Sequence, residues 1–195
     1  ALHIATAANF SGTQNKLAKA FTRESGTNIH STKGSTGTLY AQIINGAPFD
    51  IFLSADVERV AALQQKGFAD STSTAFYACG QLVLARSSGE VNIKAFKQDL
   101  MTNPNQRVAI ANPKTAPYGH AAKQVLDTLF GATLQPQQII TANNVGQAFQ
   151  YVSKQQTEWG LISLSAILGA SEGNTLRYQP IPVKWHTPLR QSMSL

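Results

Sequence analysis

Residues 39–67, with the sequence LYAQIINGAPFDIFLSADVERVAALQQKG, contain the pattern that decides the fold. The first part predicts a helix over residues 39–45, which Gly46 would end because glycine commonly follows the last helical turn. Residues 51–53 form an apolar run of the length of a short buried strand. A second amphipathic helix is predicted over residues 57–66. Helix, strand and helix therefore follow one another within this single stretch.

The same alternation continues on both sides of this stretch. The other predicted strands are residues 2–5, 27–32, 108–111, 139–140 and 160–163, and the other predicted helices are residues 13–25, 96–101, 119–130, 145–155 and 165–169. In the helix over residues 13–25 we expect Leu17, Ala20 and Phe21 to be buried, with Lys16, Lys19 and Arg23 in solvent. Short strands alternating with helices are typical of an α/β protein with a largely parallel sheet.

Two segments indicate how the chain is organised into lobes. Residues 75–85 are extended and apolar, and the tail from Tyr178 is rich in proline, so both are expected to be extended segments that cross between lobes. We therefore predict one lobe from residues 1–80 plus 188–195 and a second lobe from residues 81–187. Each lobe has a size acceptable for a small folding unit.

Composition excludes several classes of protein. The chain has 195 residues, of which 43% are hydrophobic and 13% charged, a balance that excludes global disorder. No apolar run approaches the ~20 residues of a membrane span. The net charge of +6 favours an anionic partner, but the basic residues are scattered and do not form the cluster that nucleic-acid binding needs. The single cysteine, Cys79, excludes an internal disulfide and is expected to be buried.

Motifs of common enzyme classes are absent from the sequence. It contains no phosphate-binding P-loop, no Gly-x-Ser-x-Gly nucleophile motif and no His-Glu-x-x-His zinc motif. The four histidines are not at ligand spacing, and we expect surface or structural roles for them: His3, His30, His120 and His186. We therefore expect neither catalysis nor direct coordination of a metal ion, and no cofactor.

Four junctions between a strand and a helix share one character. Each consists of small or polar neutral residues with few charges and no acidic residue: residues 6–12, 33–38, 112–119 and 141–146. A single such junction is an ordinary helix cap. In open α/β sheets, however, ligands bind beyond the carboxyl ends of the strands, where helix N-termini offer N–H donors and a positive dipole end. Four such junctions, two in each lobe, predict a two-lobed protein that binds a small anion.

Several segments resemble the periplasmic molybdate-binding proteins of ABC transporters, which have the two-lobed type II periplasmic binding protein fold. The most specific segment is GAPFDIFLSAD at residues 46–56. The others are ATAANF at residues 5–10, GSTG at 34–37, ANP at 111–113, APYG at 116–119 and NNVGQA at 143–148. The resemblance covers nearly the whole chain. It implies a site for molybdate or tungstate in the cleft between the lobes.

The resemblance also implies which residues contact the anion. By position in the motifs these are Asn9 and Thr36, with Ser35 beside it, from the first lobe, and Tyr118 and Val145, largely through backbone N–H groups, from the second lobe. Ser163 stands where some relatives have a tyrosine hydroxyl, and Ala8 stands where others have a threonine. Asp56 is expected to cap a helix and not to bind a metal.

The resemblance implies partners and a location as well. We expect the protein to be a monomer that delivers its anion to the membrane permease of an ABC importer, and to be periplasmic after signal removal or extracellular and lipid-anchored. Relatives usually continue beyond the segment that resembles Pro188–Gln191 with helices that return to the first lobe. Those helices are expected to be missing here, which would expose apolar surface on that lobe.

Two other functional classes remain as alternatives at this point. One is an enzyme that acts on a small anionic substrate, which would need a base or nucleophile beside the four junctions. The other is the ligand-sensing domain of a regulator, which would need a DNA-binding segment that this sequence does not contain.

Overall fold

The strand pattern of the sequence produces two separate sheets. A computed structural model describes residues 1–170 and 176–195, and within these residues it contains two five-stranded sheets. The chain divides into one unit of Ala1–Gly80 with Leu189–Leu195 and a second unit of Gln81–Pro188. Pro188, which the sequence analysis assigned to the first lobe, belongs to the second unit.

The first unit combines parallel and antiparallel strands. The strands of its sheet lie in the order β2-β1-β3-β10-β4, and β1, β2 and β3 are parallel while β10 runs antiparallel to its neighbours β3 and β4. The strands are β1 Leu2–Ala7, β2 Ile29–Gly34, β3 Ile51–Leu53, β4 Ala75–Gly80 and β10 Leu189–Ser194. The helices are α1 Ser11–Ser25, α2 Thr36–Ile44 and α3 Glu58–Gln65, with a 3₁₀ turn at Ala8–Phe10 before α1.

The second unit has the same mixture. Its strand order is β7-β6-β8-β5-β9, in which β6, β7 and β8 are parallel and β5 is antiparallel to β8 and β9. The strands are β5 Leu82–Arg86, β6 Val108–Ala111, β7 Ile139–Ala142, β8 Trp159–Ser163 and β9 Arg177–Pro180. The helices are α4 Ile93–Thr102, α5 Pro117–Phe130, α6 Val145–Ser153 and α7 Leu164–Leu168, with 3₁₀ turns at Gly131–Thr133, Pro136–Gln138 and Val183–Trp185.

Each unit has its own apolar core. In the first unit, buried side chains from β1, α2, β3 and α3 form one cluster: Ala5, Leu39, Phe52, Val60 and Leu63. In the second unit every residue of β6 and β8 is buried, because a parallel strand in the middle of an α/β sheet has helices on both faces. The predicted apolar runs at residues 108–111 and 160–163 are therefore central strands.

Helix α1 leaves exposed two of the three residues that its sequence pattern predicts to be buried, Leu17 and Phe21, and half-buries the third, Ala20. Leu17 and Phe21 are 57% and 43% exposed, whereas Gln14 is only 3% exposed. The face turned to the sheet carries Gln14, Ala18 and Thr22, which recur every fourth residue. The apolar residues Leu17 and Phe21 lie beside this face and are exposed to solvent.

The extended stretch over residues 75–85 crosses from the first unit to the second, as expected, and it consists of two strands, β4 and β5, which belong to different sheets and meet at Gln81. One expectation is wrong: Cys79 is exposed and not buried, and it lies in β4, which is the edge strand of the first sheet. None of the helices in the described ranges is long and apolar enough to cross a membrane.

Candidate functional site

The loops after β1, β2 and β3 begin at one edge of the first sheet. Ala7 at the end of β1 pairs with Gly34 at the end of β2, and Thr6 pairs with Leu53 at the end of β3. Because parallel strands present their carboxyl ends at the same edge, the residues that follow each strand start close together. Three of the predicted anion-binding residues follow these strands: Asn9, Ser35 and Thr36.

Ser35 and Thr36 open helix α2. Ser35 is its N-cap, with the hydroxyl oxygen accepting a 3.3 Å hydrogen bond from the backbone N–H of Thr38 and lying 2.7 Å from the Thr38 hydroxyl. The Thr36 side chain is 1% exposed, and its Oγ1 accepts a 3.0 Å hydrogen bond from the backbone N–H of Ala55. Thr36 therefore ties the start of α2 to the loop after β3.

Asn9 is held by a residue of β10, which lies next to β3 in the first sheet. Asn9 lies in the 3₁₀ turn after β1, is 7% exposed, and its Nδ2 donates a 2.8 Å hydrogen bond to Oε1 of Gln191 in β10. Gln191 also contacts the hydroxyl of Tyr77, from β4, at 3.1 Å. The sequence analysis missed Gln191 and Tyr77, because they are far from Asn9 along the chain and belong to none of the four junctions.

The second unit repeats this arrangement. Ala111 at the end of β6 pairs with Ala142 at the end of β7, and the backbone N–H of Asn112 donates a 2.8 Å hydrogen bond to the Ala142 carbonyl. Tyr118, 3% exposed, is the second residue of α5, which follows β6. Val145, 4% exposed, is the first residue of α6, which follows β7. Both predicted residues therefore lie in the first turn of a helix that follows a parallel strand.

The caps of these two helices differ. Asn144 caps α6, and its Oδ1 accepts a 3.0 Å hydrogen bond from the backbone N–H of Gln147, the third residue of the helix. The N–H groups of Val145 and Gly146 have no acceptor within the helix, because the first turn has no preceding carbonyls. Helix α5 begins with Pro117, which has no N–H and suits the first helical position.

The start of α5 approaches β6 so closely that a side chain is excluded at Gly119. A Cβ atom built there would lie 2.3 Å from the backbone oxygen of Ala111 and 2.7 Å from the carbonyl carbon of Asn112. These are backbone atoms, so they cannot move aside as a flexible side chain would. Glycine at this position therefore sets how near the α5 N-terminus lies to the end of β6.

Ser163 lies at the same edge, at the end of β8. It is fully buried and caps α7, where its hydroxyl accepts a 3.3 Å hydrogen bond from the backbone N–H of Ala166.

The four junctions carry no negative charge, and their two lysines, Lys33 and Lys114, are exposed. The nearby carboxylate of Asp56 accepts hydrogen bonds of 3.1 Å from the Ser54 hydroxyl and from the backbone N–H of Arg59, and it also forms an ion pair with the Arg59 guanidinium. Asp56 therefore accepts the N–H of the second residue of α3, but it is not the N-cap as predicted, because α3 begins one residue later and its N-cap is Val57. No group of three or more His, Cys, Asp or Glu residues that could hold a metal ion occurs in residues 1–170 and 176–195.

Two mixed α/β units, each with helix N-termini at the carboxyl edge of parallel strands, define the class of two-lobed solute-binding proteins. The chain belongs to the bacterial extracellular solute-binding protein family, whose model matches residues 2–195. It is similar to the molybdate-binding protein ModA of Azotobacter vinelandii, at 34% identity over 97% of this chain and 75% of the relative. It is also similar to ModA of Rhodobacter capsulatus, at 33% identity over 98% of this chain and 74% of the relative.

The fold is also similar to a solved structure. The periplasmic molybdate-binding protein of Azotobacter vinelandii matches with a TM-score of 0.89 and 35% identity, over 100% of this chain and 84% of that chain. The predicted class of fold, a two-lobed periplasmic binding protein, is confirmed by this similarity, as is the predicted family.

Proposed function

We propose that this chain binds molybdate, and tungstate equally well, and delivers the anion to the membrane permease of an ABC importer. The proposal is supported by the relatives named molybdate-binding protein, which match nearly all of the chain. The observation that carries it is the set of neutral donor junctions at the carboxyl edge of each sheet, with buried Asn9 and Thr36 in one unit and Tyr118 and Val145 in the other.

The proposed site contains hydrogen-bond donors and no carboxylate. A tetrahedral dianion such as molybdate presents four oxygen acceptors, so donors alone can satisfy it. Protonated phosphate carries a hydroxyl group that needs an acceptor, and an unmatched buried polar group costs about 1–3 kcal/mol. Sulfate is smaller and would leave some donors out of reach. Molybdate and tungstate are nearly equal in size and charge, so the site should scarcely distinguish them.

The charge of the anion is balanced without a salt bridge in this proposal. The positive ends of α1, α2, α5 and α6, together with N–H and hydroxyl donors, supply the favourable field. Because the lysines of the junctions are exposed, they contribute mainly to long-range attraction, which salt screens.

The proposed cellular setting is supported by the similarity to a periplasmic molybdate-binding protein. We place the protein in the periplasm, or outside the cell on a lipid anchor, acting as a monomer that binds and releases its ligand without chemistry. No observation favours an enzyme or a regulator's sensing domain. The binding relatives and the absence of acidic groups in the four junctions both support binding without turnover.

Thermal unfolding with four anions tests the proposal. Molybdate and tungstate at a hundredfold excess over the dissociation constant should each stabilise the protein by about 2.7 kcal/mol, whereas sulfate and phosphate should raise the unfolding temperature much less. Equal shifts for all four anions at equal ionic strength would indicate a general salt effect and would refute the specific site.

A further inference from the structure

Two histidines of the first unit face each other across neighbouring strands. His3 in β1 is paired with His30 in β2, and the centroids of their imidazole rings are 5.2 Å apart, with an angle of 31° between the ring planes. The sequence analysis treated these residues separately, because they are far apart along the chain. The parallel pairing of β1 with β2 makes them neighbours.

The register of the two strands fixes both histidines on one face of the sheet. It runs without a break from Leu2 opposite Ile29 to Ala7 opposite Gly34. Residues that are directly opposite each other in neighbouring strands point to the same face, and their backbones are about 4.8 Å apart. A slip of one residue would turn one histidine to the other face, so the register itself keeps the two rings side by side.

Both histidine side chains are accessible to a dissolved ion. His3 and His30 are exposed, so solvent reaches their ring nitrogens and the rings can turn about their side-chain bonds. Neutral imidazole is the commonest metal ligand in proteins, and it suits zinc, copper and nickel ions. Two exposed imidazoles held side by side therefore have the chemistry of a transition-metal site.

The distance between the rings fits two ligands of one metal ion. Tetrahedral zinc holds histidine nitrogens at about 2.0–2.1 Å, which places the centroids of two imidazole rings on the same ion about 5 Å apart. The centroids of His3 and His30 already have this separation, at 5.2 Å. The strands thus bring the two rings to the spacing that a shared ion requires before the ion binds.

A carboxylate lies next to this pair of histidines. Oδ2 of Asp50 accepts a 2.7 Å hydrogen bond from the backbone N–H of His3, and the backbone N–H of Asp50 donates to the His3 carbonyl at 2.8 Å. Its negative charge favours a cation at this place in a protein of net charge +6. No third His, Cys, Asp or Glu completes a metal-binding group in residues 1–170 and 176–195, so Asp50 is not counted as a ligand.

We propose that His3 and His30 together bind a divalent transition-metal ion that prefers imidazole ligands, such as Zn²⁺. The two histidines are its protein ligands, and water fills the remaining positions, so the ion binds reversibly at the surface. This inference does not rest on the proposed anion site. His3 is four residues before Ala7, the end of β1, and this length of strand places the histidines about 13 Å from the edge where the anion junctions begin.

Titration of zinc into three variants tests the inference. ZnCl₂ is titrated by isothermal titration calorimetry, in a buffer that does not bind zinc, into protein without a histidine tag. We expect the wild type to bind one Zn²⁺ per chain. His3→Ala and His30→Ala should each weaken zinc binding at least about tenfold, because the second of two linked ligands binds at a high effective concentration and each variant loses this advantage.

His120→Ala is the matched control variant. His120 is also an exposed histidine, but it lies in α5 of the second unit, so its removal should leave the zinc affinity within twofold of the wild type. MgCl₂ in place of ZnCl₂ should give no measurable binding, because Mg²⁺ prefers oxygen ligands. This comparison separates binding by imidazole from a general attraction of cations to Asp50.

Nuclear magnetic resonance identifies the ligands directly. In long-range ¹H–¹⁵N spectra of the imidazole groups, Zn²⁺ should shift the ring nitrogen signals of His3 and His30 and leave those of His120 in place. The free energy of unfolding in urea, measured without zinc, establishes that each variant is folded. Molybdate affinity of His3→Ala and His30→Ala, also measured without zinc, should stay within twofold of the wild type.

Several results would overturn the site. These are absence of zinc binding by the wild type, wild-type zinc affinity in either His3→Ala or His30→Ala, and zinc binding that leaves both sets of ring signals unshifted. The last two results would mean that the ion has other ligands. A chain that binds zinc through this pair but does not bind molybdate would refute the proposed function and leave the metal site standing.

Discussion

Replacing Thr36 separates the contribution of its hydroxyl to folding from its contribution to binding. The side chain is 1% exposed and accepts the Ala55 N–H at 3.0 Å, so Thr36→Val leaves a buried N–H without its acceptor. The free energy of unfolding should fall by about 1–3 kcal/mol, the cost of an unsatisfied buried polar group. The valine retains the shape of threonine, so little of this loss should come from a cavity.

The effect on binding should be separate and comparable in size. A hydrogen bond to a charged group contributes about 1.5–3 kcal/mol, so loss of the hydroxyl donor should weaken molybdate binding by about ten- to a hundredfold. Thr36→Ala should behave similarly, with a further loss of stability from the missing methyl group. Thr36→Ser keeps the hydroxyl and should stay within a few-fold of the wild type in affinity.

The measurements are urea unfolding without ligand and calorimetric titration with molybdate at a temperature where every variant is folded. Lys16→Ala and Lys19→Ala on the exposed face of α1 are the controls, and both should change affinity little beyond a salt-dependent effect. If the lysine variants lost binding while Thr36→Val bound molybdate like the wild type, surface charge would hold the anion, and the mechanism based on helix N-termini and neutral donors would be refuted.

Two other substitutions test the structure more widely. Gly119→Ala places a Cβ atom 2.3 Å from the Ala111 oxygen, so the free energy of unfolding in urea should fall by about 1–3 kcal/mol and molybdate should bind more weakly in titration. Gly12→Ala is the control, because the space around its Cβ is open and the substitution should not lower stability. Wild-type behaviour of Gly119→Ala would show that α5 can shift without cost. Hydrogen bonds from the backbone N–H of Thr72, and then from its hydroxyl, hold the pKa of Asp70 below its ordinary value of 3.8. The charged carboxylate therefore stabilises the fold at pH values above 3.8, and this contribution is lost as the pH falls through the pKa of the folded state. Asp70→Asn should therefore lose less stability than the wild type between about pH 5 and pH 3 in urea unfolding curves, and parallel pH profiles would contradict this role of Asp70.

The sequence by itself determined the local elements and the family. A short apolar run and period-3.6 patterns place the strand at residues 51–53 and the helices around it, because these elements depend on which residues within a few positions are apolar. The polar junctions are equally local, since caps and first turns are built from neighbouring residues. Motifs such as GAPFDIFLSAD identify the family for the same reason, because a motif is a continuous run of residues.

The tertiary structure decided which surfaces meet. The pattern of α1 identifies Leu17 and Phe21 as its apolar face, but the packing buries Gln14 and leaves both apolar residues exposed, because burial depends on what lies against the helix. The contact between Asn9 and Gln191 joins residues separated by 182 positions, through a last strand that enters the sheet between β3 and β4. Such a contact has no local signal, since it exists only after the chain has returned to the first sheet.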